Sequence, residues 1–313
     1  MIARERGHRI LVLGAGYAGM VAALRTAGRT RRQGAEVTVV NASDRFVERI
    51  RMHQRAAGQS LRDVSIPEML KGTGAAFVEG WVSALDPECR EVRVSTPEGD
   101  RSPRYDTLIN ALGSTADTGA VPGASEYAHT LNGPAAADRL YAASRAAPAG
   151  ARLVVCGGGF TGIEVATELA ETFPGLRVSI VTAGELGKGL SPRGRGYVAK
   201  ALARRGIEVQ TQTAIQAVRA ASVELAGREE VPFDICFWAG SFAPSPLAGI
   251  AGLEVNNRGQ AVVDPFLRSR SHPEIFVVGD AAHPAVEPRG PIRMSAGTAL
   301  TMGAHAADTI GAM

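Results

Sequence analysis

Two glycine-rich turns hold the residues whose types and spacing suggest chemistry. The first, Gly14-Ala15-Gly16-Tyr17-Ala18-Gly19, directly follows the apolar run Ile10-Leu11-Val12-Leu13 and opens an alanine-rich helix. The second, Gly157-Gly158-Gly159-Phe160-Thr161-Gly162, follows Arg152-Leu153-Val154-Val155-Cys156 and runs into Ile163-Glu164-Val165-Ala166. In such a turn the first glycine permits the tight reversal and the second lets the main chain approach a pyrophosphate. The third lets the helix pack on the strand. The helix start then offers unpaired N–H groups and the positive end of its dipole to phosphate. One such spacing arises by chance in a chain with 37 glycines. A second complete copy argues for two dinucleotide sites.

The elements that must position these turns are also duplicated. A second strand follows each helix, Glu36-Val37-Thr38-Val39-Val40 in one copy and Arg177-Val178-Ser179-Ile180-Val181 in the other. Each closes about twenty residues past the last glycine, where a ribose-binding side chain belongs. Asn41, followed by Ala42, and Thr182 occupy those places. Asparagine can both donate to and accept from a diol, with Asp44 as a turn residue nearby. Residues 79–94 then form a small antiparallel excursion with turn signals at Asp86-Pro87 and Pro97-Glu98-Gly99. Residues 105–113 return as a buried strand ending in Ala111-Leu112-Gly113. In the second copy, residues 209–218 and 222–226 read as a hairpin, and residues 233–240 return, ending in Ala239-Gly240. That shared order marks an internal duplication. Residues 271–282 add a strand ending in Gly279-Asp280, and a helix is expected from about Met294 to Ile310. A carboxylate at a strand's C-terminal edge suits the hydroxyls of a bound polyol chain, and equally suits a helix cap. The run from Arg45 to Arg55 reads as a helix with Arg45/Arg49 and Arg51/Arg55 neighbours. It is either a solvated surface helix or a loop and helix that turn over a cofactor, with arginine near its phosphates and Met52 to Gln54 near its reactive ring.

Composition excludes several classes. Apolar content of 45% and charged content of 21% are those of a soluble globular chain. A net charge of +3 is a poor argument for nucleic acid. Cys89, Cys156 and Cys236 form no CxxC or CxxxxC pair, so neither a zinc site nor a thioredoxin-type disulfide can be drawn. Cys156 and Cys236 fall in predicted strands and read as core thiols. Residues 1–9 lead into the first strand without a signal-peptide pattern, and the uncharged run 10–24 is too short to span a bilayer. A cytoplasmic, reduced setting without a transmembrane segment is expected.

Over nearly its whole length the chain resembles the two-dinucleotide flavoprotein reductases of the pyridine nucleotide–disulfide oxidoreductase superfamily. Within them, Gly157-Gly158-Gly159-Phe160-Thr161-Gly162-Ile163-Glu164 and Trp238-Ala239-Gly240 look most like the type II NADH dehydrogenases and apoptosis-inducing-factor-like quinone reductases, which lack the redox disulfide. The resemblance implies an α/β fold of two Rossmann-like, three-layer ββα dinucleotide-binding domains. The FAD domain would be residues 1–115 and 265–313, with an NAD(P)H domain, residues 116–264, inserted in it. It implies FAD contacts at Gly14, Ala15, Gly16, Tyr17, Ala18, Gly19, Asn41, Ala42, Arg49 and Val82. Further FAD contacts are Ala111, Leu112, Gly113, Gly279 and Asp280, with Met294-Ser295-Ala296 opening a helix toward the flavin. NADH or NADPH would meet Gly157, Gly159, Phe160, Thr161, Gly162, Thr182, Ala239 and Gly240. Glu164 is the implied catalytic residue at the nicotinamide–flavin junction, or else a first-turn glutamate favoured by the helix dipole. The implied reaction passes hydride from nicotinamide C4 to flavin N5 and then electrons to a quinone-like acceptor, with no metal. Thr182 departs from the acidic residue that favours NADH, which makes NADPH at least as plausible, and Lys188, Arg193 and Arg195 lie just downstream. Those relatives carry a C-terminal third domain, whereas about thirty residues after Asp280 give room for the flavin-contacting helix, and the oligomeric state stays open. The alternatives are a ferredoxin or rubredoxin reductase and a redox-regulated binding flavoprotein, the latter resting on Arg29/Arg31/Arg32 and on Arg45 to Arg55.

Overall fold

The computed structural model describes residues 7–227, 229–284 and 292–313. Residues 1–6, read above for a leader, lie outside them. In chain order the elements that position the glycine turns begin with strand β1 (Arg9–Leu13), helix α1 (Tyr17–Thr30) and strand β2 (Glu36–Asn41). Next come α2 (Met52–Ala56), β3 (Ala76–Glu79) and β4 (Thr107–Asn110). Helix α3 (Pro134–Ala146) leads to β5 (Arg152–Cys156), α4 (Phe160–Thr172), β6 (Arg177–Val181) and β7 (Glu208–Gln210). The chain closes with β8 (Ile235–Trp238), β9 (Ile275–Val277) and α5 (Ala296–Gly311).

Two parallel sheets result, in the orders β9-β4-β1-β2-β3 and β7-β6-β5-β8. Their central strands, β1 and β5, bury four of five residues each, because a parallel strand flanked by helices meets no solvent on either face. A three-stranded antiparallel layer accompanies each sheet: Trp81–Asp86, Glu91–Thr96 and Gly99–Arg101 for one, Ile215–Val218, Ser222–Leu225 and Glu230–Pro232 for the other. These are two ββα units, as the sequence pattern predicts.

The chain divides into two compact units, one of Met1–Val47, Asp63–Thr115 and Ala243–Met313, the other of Glu48–Arg62 and Ala116–Phe242. The expected boundaries differ in two places. The return to the first unit comes at Ala243, not 265, because Leu247, Leu253, Ala261 and Val263 join the same core as β1 and β9. Residues 48–62 leave the first unit because α2 packs on α3 and α4. The run Arg45–Arg55 is also not one helix. Arg45 and Phe46 pair antiparallel with Ser65 and Val64, and a short 3-10 turn, Arg49–Arg51, precedes α2. Likewise Val209 leaves the expected hairpin: it sits opposite Ile180 as part of the parallel sheet.

The duplication extends to an ion pair at the foot of each central strand. The Arg9 main-chain N–H and Nε donate to Asp106 Oδ2 at 2.8 and 3.0 Å, and its Nη2 to Oδ1 at 2.8 Å. In the second unit the Arg152 main-chain N–H donates to Asp234 Oδ2 at 2.8 Å. Each aspartate immediately precedes a return strand, so the pair fixes that strand's start beside the first strand. The Arg9 hydrogen bonds hold the Asp106 carboxyl well below the usual carboxylate range. Such a depressed group stabilises the fold fully above its unfolded pKa and loses that effect as pH falls through the folded value. Asp106→Asn is therefore expected to cost about 1–2 kcal/mol at neutral pH. In urea melts the difference from wild type should shrink as the solution is taken below about pH 4.

Candidate functional site

Each glycine of the two turns has a separate steric reason, and the reasons match between copies. Gly14 (φ +92°) and Gly157 (φ +130°) are left-handed, a conformation side-chain-bearing residues rarely adopt. A Cβ on Gly14 would stand 2.6 Å from the Ala111 carbonyl oxygen, and one on Gly157 2.3 Å from that of Ala239. A Cβ on Gly19 would meet the Gly14 oxygen at 1.8 Å, and one on Gly162 the Gly157 oxygen at 1.9 Å. The third glycine thus lets the helix lie against its own turn. Gly16 and Gly159 are different: both are exposed and have no heavy atom within 4 Å of where a Cβ would point. Their φ angles, −75° and −74°, suit any residue. Among the described residues neither backbone angle nor a neighbouring atom requires glycine at those two positions, and both leave open space at a helix start.

The turns are also held alike. Gly14 N–H donates to Val40 O and Gly157 N–H to Val181 O, both at 2.8 Å, while Ala111 and Ala239 N–H donate at 2.8 Å to Leu13 O and Cys156 O. Neither α1 nor α4 has a side-chain cap at its N-terminus. In contrast, Ser295 caps α5, its Oγ accepting from Thr298 N–H at 3.2 Å. Two long helices thus present N–H groups at the mouth of an open glycine, an arrangement suited to a pyrophosphate.

In the first unit Asn41 does more than stand at the ribose position. Its Oδ1 accepts from Ala15 N–H at 2.9 Å and its Nδ2 donates to Ser43 O at 2.7 Å, so the side chain braces the turn. Ala42 is exposed beside it, Tyr17 and Ala18 open α1, and Val82 is half-buried in the antiparallel layer. Leu112 N–H donates to Asn110 Oδ1, and Gly113 is left-handed (φ +68°) with open space at its Cβ position. Gly279 lies between α1 and α5, its Cβ position 3.2 Å from Ala18 Cβ and 3.5 Å from Ala299 Cβ. Asp280 Oδ2 accepts from Ser114 Oγ at 2.6 Å, and the buried Gln260 amide donates to Asp280 O and Ala282 O. Gly279, Asp280 and Met294 line one small cleft together with Gln260, Thr298 and Met302. Ser114 and Gln260 were not singled out from sequence, because nothing in their local pattern distinguishes them. Met294 and Ser295 directly precede α5, whose first residue is Ala296.

In the second unit Thr182 is buried, and its methyl carbon would lie 2.8 Å from a Cβ on Gly158. The middle glycine of that turn thus makes room for Thr182. Lys188 and Arg193 are exposed and make no ion pair, whereas Arg195 pairs with Glu185 at 3.3 Å. Phe160 and Thr161 form the first turn of α4, and Gly240 is exposed just past the buried end of β8. Glu164 is the fifth residue of α4, beyond the first turn where a helix dipole acts most strongly. Its Oε2 lies 3.7 Å from Nδ1 of His53, which falls in the Met52–Gln54 stretch expected near a cofactor's reactive ring. Arg49 is exposed in the 3-10 turn before α2.

Sequence spacing also concealed a thiol pair. Cys156 and Cys236, on neighbouring strands β5 and β8, have sulfurs 3.7 Å apart, both buried among apolar side chains. The hydrogen bond with Cys236, and then burial, push the Cys156 thiol well above its ordinary range. A protonated, enclosed thiol is a poor nucleophile. Among the described residues no group of histidine, cysteine, aspartate or glutamate could hold a metal ion, and no helix is long and apolar enough to cross a membrane. A cavity of about 400 Å³ lined by His129, Thr130 and Arg139 among others contains none of the predicted site residues.

The glycine geometry gives a sharp expectation. Gly16→Ala should leave the melting temperature of the flavin-free protein unchanged while weakening FAD binding at least about 100-fold if FAD is seated there, because the added methyl enters only open space at the start of α1. Gly14→Ala should destabilise the fold by about 2–3 kcal/mol, through both its backbone angle and the Ala111 carbonyl. Thermal melts and quenching of flavin fluorescence separate the two effects.

Comparison with known proteins accords with this geometry. The family model for pyridine nucleotide-disulphide oxidoreductases matches residues 8–305. The chain is 28% identical over 290 residues to demethylphylloquinone reductase NdbB of Synechocystis sp., covering 88% of this chain and 72% of that one. It is 28% identical over 333 residues to the type II NADH:quinone oxidoreductase of Staphylococcus haemolyticus, covering 96% and 81%. The solved NAD-dependent persulfide reductase from A. fulgidus superposes with a TM-score of 0.83 at 22% identity, covering 97% of this chain; the chain spans 59% of that structure's length.

Proposed function

The chain belongs to the pyridine nucleotide-disulphide oxidoreductase family, and on that premise we propose that it is an FAD-dependent NAD(P)H oxidoreductase with a quinone-like acceptor. The observation that carries the reading is the pair of matched cradles, each with one glycine whose missing side chain leaves room for a ligand. When bound, FAD and the nicotinamide dinucleotide supply the chemistry, hydride passing from the nicotinamide to the flavin and electrons onward to the acceptor.

The protein's own part is binding and orientation. Gly16 and the start of α1 receive the FAD pyrophosphate, with Asn41 holding the turn in shape beside the ribose. Asp280, steadied by Ser114, accepts hydrogen bonds from the polyol chain, and a carboxylate oxygen can accept more than one. The capped N-terminus of α5 directs its dipole toward the flavin. Gly159 and the start of α4 receive the second pyrophosphate, and Glu164 stands at the nicotinamide end. The names of the relatives in Synechocystis and Staphylococcus support a quinone as acceptor.

Other readings find less support. Arg29 pairs with Asp308, Arg45 with Asp44, Arg51 with Glu48 and Arg55 with Asp138, so the arginines that suggested nucleic-acid binding are largely neutralised. The enclosed Cys156–Cys236 pair does not favour disulfide reduction, and the three free thiols suit a reduced, cytoplasmic setting.

The decisive experiment is anaerobic reduction of the flavoprotein by each nicotinamide, followed by reoxidation with soluble quinones and with small electron-transfer proteins. Bleaching by NAD(P)H and rapid recovery with quinone are expected; recovery only with the protein acceptors would overturn the quinone assignment. Thr182 offers no carboxylate to repel a 2′-phosphate, while Lys188 and Arg193 are exposed. The double change Lys188→Ala with Arg193→Ala should therefore raise KM for NADPH about tenfold and leave KM for NADH within about twofold.

A further inference from the structure

We infer that His53 is a positioning residue for Glu164, fixing where that carboxylate stands at the nicotinamide end of the second cradle. The inference rests on the reading that this cradle takes a nicotinamide dinucleotide.

The geometry begins with α2, a helix too short to be stable by itself. It is fixed to its neighbours by contacts that flank His53. Met52 and Ala56 turn inward and are buried. Arg55 makes a two-pronged bond to Asp138 of α3, Nε to Oδ1 at 2.6 Å and Nη2 to Oδ2 at 2.7 Å. Gln59 donates to Glu168 of α4. Gly58 is left-handed and lies so close to the Tyr141 ring that a Cβ would stand 2.6 Å from it. These attachments hold α2 against both helices and set the direction of His53.

The imidazole is largely enclosed, with 15% of its side chain exposed, while Glu164 is 49% exposed. One partner is enclosed by packing and the other is a longer, more exposed side chain, so the enclosed imidazole helps set the direction of the carboxylate. The separation of 3.7 Å is longer than a hydrogen bond but within reach of an ion pair. Glu164 follows Gly159-Phe160-Thr161-Gly162 within the same helix, so its direction bears on whatever the cradle holds. His53 touches no reacting atom in this account and acts only through Glu164.

The test uses calorimetry on the FAD-loaded protein with two ligands. One is the non-reducing tetrahydro analogue of the preferred nicotinamide dinucleotide; the other is ADP-ribose or its 2′-phosphate, which lacks the ring. His53→Met is expected to weaken the tetrahydro analogue about tenfold and leave the ring-less ligand within about twofold. His53→Lys, which again offers the carboxylate an N–H donor, should recover most of the loss. A packing role would give the opposite order, since methionine fills the enclosed site better than lysine. Combining His53→Met with Glu164→Gln should be no worse than Glu164→Gln alone, in binding and in the limiting rate of flavin reduction. Multiplying effects, equal loss of both ligands, or a His53→Met protein that matches wild type would overturn the inference alone. A wild-type protein that binds neither ligand overturns the cradle reading, and this inference with it.

Discussion

The contact between the third glycine of each turn and the carbonyl of the first is the constraint on which both sites depend. Gly19 stands where its Cβ would be 1.8 Å from the Gly14 oxygen, and Gly162 repeats this with Gly157 at 1.9 Å. That closeness lets a helix begin directly over the end of a buried parallel strand, with its first N–H groups aimed past the strand's edge. Remove it and the helix must move away, the turn opens, and the outward-facing glycine loses its place at the helix mouth. The sheets, the return strands and the paired arginine–aspartate feet keep this one approach in register.

Much of the architecture was legible because it repeats. β1 and β5, the turns and the second strands are continuous apolar runs bounded by glycine, and each has a partner in the other half. The terminal helix, expected from about Met294 to Ile310, forms at Ala296–Gly311. Local pattern failed where tertiary pairing decides. Arg45–Phe46 looks helical in isolation but finds a strand partner at Val64–Ser65, and Val209 joins a parallel edge because β6 lies open beside it. Ser114 and Gln260 have no periodic or spacing signal; each matters only through a residue far away in sequence. The stretch around His53 was legible as a cofactor-facing segment, but its partner Glu164 was not, for the same reason. The Cys156–Cys236 proximity was hidden for the same reason, since adjacency of β5 and β8 is a property of the sheet.

The two cradles share a scaffold and differ in the side chain that follows the second strand. In the first, the side chain after the second strand is Asn41, whose amide is drawn into the turn through Ala15 and Ser43. In the second it is Thr182, packed against Gly158 without an acidic group. On the proposed reading the backbone would supply pyrophosphate binding twice over, while recognition of the adenosine end would be left to side chains that diverged. The same separation explains why membership of the pyridine nucleotide-disulphide oxidoreductase family fixes the scaffold more tightly than it fixes the donor.

The central claim is that one chain carries two independent nucleotide cradles, the first for FAD. Equilibrium titration of flavin-free protein with FAD, followed by titration of the loaded protein with NAD(P)+, measures it directly. The account predicts one FAD per chain and then one further dinucleotide per chain, with neither displacing the other. A folded protein that takes up no FAD, or in which FAD and NAD(P)+ compete for a single place, would contradict it.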